Sequence, residues 1–592
     1  MDSLKSRAYR LVANRHLCEV YMKKYLLFSV SIAGFGFAWA QPEPKRGFEN
    51  SSQEVISGTN IRLLPSSKLL IDPIVSVSKN PEIKLNLETP DYFYPTPKLT
   101  PSVEPQALKE PGSDSVYKSN YLRLGAGNLG HALGELYVAS PSNNNYAYSL
   151  NVGHLQGNNP NSFQDFQATQ VALQGSKFYY RGSLTGGFQY QRDALHYFAA
   201  DSAYSGDAVM NGKVGETLSG SLDYQLKRSG KIPELRWLTQ YQAYSNNLNQ
   251  RESELNSALN VKQDLGSQAQ FIADVAVTKL MFEQAPNLEK PNGLSRSNQF
   301  FLDARPQIAI QHRPSQLNLS GGVTMTMLNS IEPLGQGDTS IQTFRINPYV
   351  EFHKKLTGMD MQMFGVVDGG LKKNSIRRMQ AFVPFAYDSI GIQNTFEQIN
   401  AHAGVRGRIS DNSNFELSFG GNSVADMPLI VSNLDPSNVM ADSLNSLQVV
   451  YDNVNSMYFR FQTSVSMGEK FLFHASTRIV NYSPAVEQQA WHLPSFTYQG
   501  FVRYKAMNQL YIQTSIAGMG KRFNRALDEN GAIRTYDIPG FMDLQLRADY
   551  SLPGKGRVWL QGSNLLQSGL EQFAGYRGYG LTIMGGIAIS LF

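Results

Sequence analysis

The stretch TLSGSLDYQLK, Thr217–Lys227, alternates between apolar and polar side chains. Successive side chains of a β-strand point to opposite faces, so this alternation predicts a strand with one apolar and one polar face. The apolar face carries Leu218, Leu222, Tyr224 and Leu226, with Gly220 between them. The stretches Phe344–Phe352 and Phe541–Leu552 alternate in the same way, which indicates that this kind of strand recurs along the chain.

The alternation extends from Tyr117 to Phe592, a region of 476 residues without a convincing helical stretch. Such an all-β region allows a soluble sandwich or propeller, a solenoid, or a barrel in an outer membrane, where no sheet edge is left open. The strands run for about ten residues, the length that a tilted membrane-crossing strand needs. Aromatic side chains such as Phe178, Tyr179 and Tyr180 lie toward strand ends, as in an interfacial girdle. These features favour the membrane barrel.

The connections between predicted strands alternate between short turns and long polar loops. The turn at Leu552–Gly556 is short, whereas Leu371–Asn394, Pro428–Asn445 and Lys521–Pro539 are long loops. Bacterial outer-membrane barrels have short periplasmic turns, long outer loops and an even number of strands. We therefore predict a large antiparallel transmembrane β-barrel of about 22 strands. A barrel of about 14 to 18 strands with longer loops is the alternative.

The N-terminal region predicts export. Residues 22–40 begin with Met22, two lysines and an apolar run and end in Ala38-Trp39-Ala40, which is the pattern of a secretory signal peptide. Residues 1–21 add nothing to this signal, so we interpret them as an upstream extension and Met22 as the true start. Cys18, the single cysteine, then lies outside the mature protein.

Residues 41–116 form a predicted leader of different composition. They contain eleven of the 27 prolines, and proline at this density disfavours helices and central strands. We expect a mostly irregular periplasmic extension, followed by the barrel at residues 117–592. A small folded domain is the rival interpretation. Short apolar patches such as Leu69-Leu70-Ile71 suit docking on a lipoprotein or periplasmic partner.

Charge and motifs argue against nucleic-acid and nucleotide binding. Residues 1–40 carry six basic and two acidic side chains, so their removal lowers the formal charge from +5 to +1, whereas nucleic-acid-binding proteins concentrate basic residues.

Gly125, Gly127 and Gly130 have the G-x-G-x-x-G spacing, but a nucleotide site requires a helix after it. Here another alternating strand follows. We therefore expect Asn128-Leu129-Gly130 to be a hairpin turn, with Gly125 and Gly127 facing the lumen where another segment needs space.

The last 50 residues contain a distinctive series of elements: Gly562-Ser563-Asn564-Leu565-Leu566, Gly575-Tyr576-Arg577-Gly578-Tyr579-Gly580, Gly585-Gly586 and the terminal Phe592. This series resembles the final strands of TonB-dependent receptors. The predicted first strand, Tyr121–Asn128, resembles that of plugless relatives from Bacteroidota. Receptors of this family carry an N-terminal plug domain larger than the 76-residue leader. The resemblance thus implies a receptor-like barrel without its plug, and it leaves energised import by this chain alone in question.

No catalytic, cofactor or metal constellation emerges from the sequence, so we expect a protein that is not an enzyme and has no cofactor. The nine histidines are scattered, without a pair at metal-ligand spacing. Acids in predicted loops are interpreted as solvated rather than calcium-binding. These acids are Asp201, Asp207, Asp435 and Asp442. Arg377-Arg378 could bind lipopolysaccharide phosphates, although ordinary solvation of the two side chains is the favoured interpretation. Pro348 lies within a predicted strand and therefore predicts a bulge.

The expected location is the outer membrane, in contact with its lipids. A wide barrel without a plug needs something to fill its lumen, so the favoured function is transport or uptake, with loops or a partner closing the lumen. The alternative is a structural or assembly subunit of an outer-membrane complex, whose leader binds a periplasmic partner.

Overall fold

The structure, a computed structural model, describes residues 120–591 except for short internal gaps. The gaps are residues 141–144, 159–164, 197–211, 229–231, 285–294, 335–336, 357–359, 387–390, 411, 433–446, 469 and 528–532. The predicted signal peptide and leader, with their boundaries, lie outside the described residues. So do the four loop acids considered for calcium.

The described part of the chain is a 22-stranded antiparallel barrel. Its wall strands are β1 (Tyr121–Gly127), β2 (Ala132–Ala139), β3 (Tyr146–Gly157), β4 (Phe166–Tyr179), β5 (Gly182–Leu195), β6 (Lys213–Leu226), β7 (Glu234–Asn246), β8 (Arg251–Asp264), β9 (Ala269–Gln284), β10 (Ser295–His312), β11 (Leu317–Leu334), β12 (Gly337–Lys355), β13 (Met361–Lys372), β14 (Thr395–Ser410), β15 (Ser413–Ser432), β16 (Leu447–Met467), β17 (Phe471–Pro484), β18 (Phe496–Lys505), β19 (Leu510–Met519), β22 (Phe541–Ser551), β23 (Gly556–Ser563) and β26 (Thr582–Ser590). Each pairs with the next, and β26 pairs with β1, which closes the wall. The predicted fold class and strand count are confirmed.

The loops contribute a few further elements. These are the helix α1 (Ile376–Phe382) and the hairpins β20 (Arg522–Leu527) with β21 (Ile533–Ile538) and β24 (Glu571–Phe573) with β25 (Tyr576–Arg577). Among the described residues, no helix is long and apolar enough to cross a membrane.

The alternation of side chains follows the two faces of the wall. Leu218 and Leu222 of β6 are 44% and 42% exposed on the outside, where lipid surrounds a membrane barrel. Their neighbours Ser219, Ser221 and Asp223 have the opposite parity and therefore face the lumen. The period-two pattern in the sequence thus separates the lipid-facing surface from a polar interior.

The first hairpin explains the glycine motif. Residues 128–131 connect β1 to β2, and Leu129 and Gly130 both have positive φ, so the predicted turn is confirmed. Gly125 faces the lumen, and a Cβ atom there would overlap the indole ring of Trp559. The missing side chain therefore makes room for this ring, as expected for a close approach.

The two ends of the barrel differ in their connections. At one end the strands are joined by two to seven residues, and at the other end the loops reach 22 residues, in 373–394. Short turns face the periplasm in outer-membrane barrels, so we call these the inner and outer ends. The chain enters β1 and leaves β26 at the inner end.

The wall is joined differently between β12 and β13. The β11–β12 register runs through Val323–Pro348 without a shift, so the bulge expected at Pro348 is wrong. Instead, the β12–β13 ladder pairs only Val350–Lys355 with Gln362–Val367. Pro348 lies just beyond it, where its missing N–H costs no ladder bond. A register shift occurs instead between β13 and β14: Asp368 pairs with Asn400 and Gly370 with Glu397, so β14 carries the extra residue.

Candidate functional site: a loop cap inside the barrel

The outer loop 373–394 contains a short helix with a defined start. Ser375 is its N-cap, and the Ser375 Oγ accepts a hydrogen bond from the backbone N–H of Arg378 at 3.3 Å, which satisfies one of the free N–H groups of the first turn. Ile376, Met379 and Phe382 are buried and recur at helical spacing on one face. We call residues 373–386 the cap.

The apolar side of the cap packs against two parts of the barrel. Ile376 lies in a buried cluster with Leu280 of β9, Phe301 of β10 and Leu328 of β11. A second buried cluster joins the cap to β15, β16 and the β24–β25 hairpin; its members are Met379, Phe382, Val383, Phe385, Ala386, Ile430, Leu447, Phe573 and Tyr576. The cap therefore reaches across the lumen between separate parts of the wall.

Two ion pairs hold the cap to lumen-facing acids. Arg378 Nη2 lies 2.7 Å from Glu254 Oε1 and 2.9 Å from Glu254 Oε2, on β8. Lys373 Nζ lies 2.7 Å from Asp303 Oδ2, on β10, and donates to Thr278 Oγ1 at 2.8 Å. Glu254 is buried, so its pairing with Arg378 compensates a carboxylate removed from water.

Further hydrogen bonds attach the cap to β6, to β8 and to the loop between β7 and β8. The backbone N–H of Arg377 donates to Glu252 Oε2 at 2.9 Å, and Gln380 Nε2 donates to Gln250 Oε1 at 2.8 Å. Lys213, at the outer end of β6, donates from Nζ to the Pro384 carbonyl at 2.8 Å. These contacts fix the cap inside the lumen by groups that are costly to leave unpaired.

Other outer loops, which lie over the outer ends of β15–β19, support the cap. His492, in the loop 485–495, contacts the Ile430 carbonyl through Nδ1 at 2.8 Å and accepts from the Ala574 N–H through Nε2 at 3.2 Å. Burial lowers the pKa of His492 to about 3, so the ring is neutral at ordinary pH. Arg522 donates to the carbonyls of Glu571 and Gln572, and burial lowers its pKa to about 10.

A cavity of about 650 Å³ lies beside the cap. Its charged lining comprises Arg236, Asp274, Asp303, Arg305, Lys373 and Arg378. Lys373 and Arg378 belong to the cap, whereas the other four belong to the wall. The site places a charged chamber beside the cap, an arrangement suited to holding a polar solute.

The structure changes the interpretation of Arg377-Arg378. We expected these side chains to be solvated or to meet lipopolysaccharide, but the Arg378 guanidinium pairs with Glu254 inside the lumen. The residues at 252 and 254 are distant in sequence, so no local pattern indicates the pair. The available signal was the spacing of Ile376, Met379 and Phe382 after Ser375, which predicts a short amphipathic helix.

The fold does not bring the described histidines together into a cluster. His353 Nε2 lies 2.7 Å from Glu351 Oε1 on the same strand, and His474 Nδ1 lies 2.8 Å from Ser464 Oγ. Within the described ranges, no three His, Cys, Asp or Glu side chains are grouped as a metal site requires. These contacts are explained as pairing of polar groups on the lumen face.

No protein-family model matches the chain, and comparison with curated proteins finds no relative. Solved structures do match. The iron transporter FrpB of Neisseria meningitidis (F3-3 variant) aligns with a TM-score of 0.62 at 10% identity, covering 79% of this chain and 81% of its own. The copper transporter OprC aligns at 0.60 and 10% identity, covering 79% of both chains.

A third similar structure is the ferric-catecholate import receptor Fiu of E. coli K12. It aligns with a TM-score of 0.58 at 11% identity, covering 81% of this chain and 82% of Fiu. These proteins are named as metal transporters and an import receptor, and the barrel fold that the chain shares with them agrees with the resemblance to TonB-dependent receptors and with the predicted outer-membrane location. At such identities the likeness concerns the fold alone: the chain shares the large β-barrel of these transporters and receptors.

Proposed function

We propose that the chain is a transport protein of the outer membrane whose outer end is closed by its own cap. The observation that carries this proposal is the position of residues 373–386 inside the lumen, held there by the Arg378–Glu254 and Lys373–Asp303 ion pairs. A barrel of 22 strands otherwise encloses a wide lumen. The similar structures, which are named as transporters and import receptors, support transport over an enzymatic role.

The chemistry of the cap suits release rather than permanent closure. Its polar contacts are ion pairs and hydrogen bonds, and a charged solute in the adjoining cavity competes directly for Lys373 and Arg378. A solute that displaces either ion pair weakens the closed state by the difference between its affinities for the open and the closed state. We therefore propose a charged or strongly polar solute.

We further propose that residues 41–116 bind a periplasmic protein or a lipoprotein. The chain enters β1 at the inner end of the barrel, and this supports a periplasmic role for the segment that precedes it. Its apolar patches between prolines suit docking in an extended conformation.

The test is to replace residues 375–386 with a Gly-Ser linker of equal length and to measure conductance in planar lipid bilayers. We expect the intact protein to be closed or weakly conducting and the variant to conduct strongly. Replacing the inner turn Pro553–Lys555 with Gly-Ser serves as the control and is expected to leave conductance unchanged.

If the variant folds and remains closed, the cap does not close the pathway and the proposal fails. Folding is checked by the heat-dependent shift of barrels in gel electrophoresis. In that case the alternative, a structural subunit with a blocked lumen, is favoured, and a pull-down from native outer membranes would identify the machine it belongs to.

A further inference from the structure

The barrel wall has an open sheet edge at its outer half. Within the described chain, β12 pairs with β13 only through Val350–Lys355, so Gly337–Tyr349 has β11 as its single partner strand. The outward residues of this segment include Phe344, Ile346 and Pro348, which places part of the edge within the apolar belt. Open edges are not tolerated against lipid without compensation, so this edge calls for an explanation.

The partner strands have moved to the lumen side of β12. The β13–β14 register shifts at Asp368–Gly370, where β14 carries an extra residue, and a Cβ atom at Gly369 would meet Asn347 Nδ2. Asn347 Nδ2 also donates to the Gln398 carbonyl of β14 at 2.8 Å, and the Arg345 guanidinium lies 4.9 Å from the centre of the Phe396 ring. We call the resulting slot between Phe344–Pro348 and Gly369–Lys372 the seam.

The lipid side of the seam is apolar and poorly suited to another strand. Phe344 and Ile346 are 61% and 59% exposed, within the range of outward residues on the fully paired wall, such as Phe419 at 67%. Pro348 adds an apolar ring and removes one edge N–H, which disfavours β-strand addition. An acyl chain therefore fits this surface better than a polypeptide.

The lumen side of the seam is cationic. Gly369, Gly370 and Leu371 line the same 650 Å³ cavity as Arg305. Arg305 Nε donates to Thr324 Oγ1 at 3.1 Å, and its guanidinium lies 4.9 Å from the centre of the Tyr349 ring. Neither Arg305 nor Arg345 has an ion-pair partner within the described chain. Guanidinium groups bind phosphate and carboxylate through paired N–H donors.

We propose that the seam binds an anionic lipid of the outer leaflet, with an acyl chain against Phe344 and Ile346 and the head group directed toward Arg305 and Arg345. The apolar slot and the adjoining cations match the two ends of such a molecule. Arg305 lines the same cavity as Lys373 and Arg378 of the cap, but the proposal does not rest on the proposed transport role, because the acyl chain lies on the lipid side of the wall.

The test uses the photoreactive residue p-benzoylphenylalanine in the full-length protein in native outer membranes. It replaces Tyr349, a lumen-facing aromatic residue beside Arg305, and in a matched control it replaces Tyr458, a lumen-facing aromatic residue on β16. After irradiation, intact-mass measurement is expected to show a lipid adduct at position 349 and none at 458. No lipid adduct at 349, equal adducts at both positions, or an adduct with a polypeptide would overturn the proposal.

The head-group assignment has its own test. In the background with the photoreactive residue at 349, Arg305→Gln is expected to lower the adduct yield about tenfold, the size expected for losing one charge-assisted contact. Arg236→Gln is the matched control, because Arg236 lines the same cavity but pairs with Asp223 at 2.7 Å. An unchanged yield with Arg305→Gln, or an equal loss in both variants, contradicts the assignment. Heat-modifiability confirms that each variant is folded.

Discussion

Glu254→Gln is expected to loosen the cap without changing its shape. Arg378 Nη2 lies 2.7 and 2.9 Å from the two carboxylate oxygens of Glu254. The glutamine retains one acceptor for Arg378 Nη2 but removes the negative charge. A hydrogen bond to a charged group contributes about 1.5–3 kcal/mol and a neutral one about 1 kcal/mol. Because the Arg378 side chain is 34% exposed, water replaces part of the loss, and we expect the closed state to weaken by about 1–1.5 kcal/mol.

That change corresponds to an increase of about tenfold in the population with an open cap. The population is measured as open probability in planar bilayers, and independently as hydrogen exchange of the amides in 375–386. The control is Glu283→Gln, which removes an ion pair with Arg296 on the outer face of β9 and β10; the Arg296 side chain there is 67% exposed. Such exposed pairs contribute little, so conductance and exchange should stay as in the unmodified protein.

The reasoning is refuted if Glu254→Gln changes neither measurement. It is also refuted if Glu283→Gln produces the same change, since the effect would then reflect loss of any acidic side chain rather than release of the cap. A rise in exchange without a rise in conductance would show that the cap moves but does not close the pathway.

Two further predictions concern packing and pH. Gly125→Ala places a methyl group against the Trp559 ring and should destabilise the barrel by about 1–3 kcal/mol, measured as its urea midpoint; Gly220→Ala, whose added Cβ meets nothing within 4 Å, is the control and should change it little. The pKa of His492 is about 3 in the folded loops and 6.5 when unfolded, so the opened state binds more protons below pH 6.5 and the closed loops lose stability as the pH falls toward 3. Hydrogen exchange in 485–495, corrected for intrinsic rates, should therefore increase from pH 7 to pH 5, and His492→Gln should abolish that increase; a pH-independent profile in the unmodified protein contradicts this account.

Local patterns were sufficient for the wall. The alternation in Thr217–Lys227 and Phe541–Leu552 assigns each side chain to lipid or lumen, because a strand has only two faces. The turn at Asn128–Gly130 and the long loops near residues 371–394 and 521–539 were also predicted from residue type and from the ends of the alternation. These features depend on residues close together in the sequence.

The cap and the seam depend on residues that are distant in sequence. Arg378 pairs with Glu254, 124 residues away in the sequence, and Asn347 donates to the Gln398 carbonyl, 51 residues away. Neither contact therefore leaves a periodic signal in the sequence. Pro348 was recognised as unusual, but the prediction of a bulge there was wrong because the relief comes from a ladder that ends at Val350, a property of the neighbouring strand.

The sequence by itself predicted export and determined a chain of two-faced strands, since hydrophobic periodicity is a local property of each strand. Only the tertiary structure decided what occupies the lumen and where the wall is incomplete. The physical reason is that loop placement depends on charge pairing and packing between elements brought together by closure of the barrel, and closure sets these distances for all 22 strands at once.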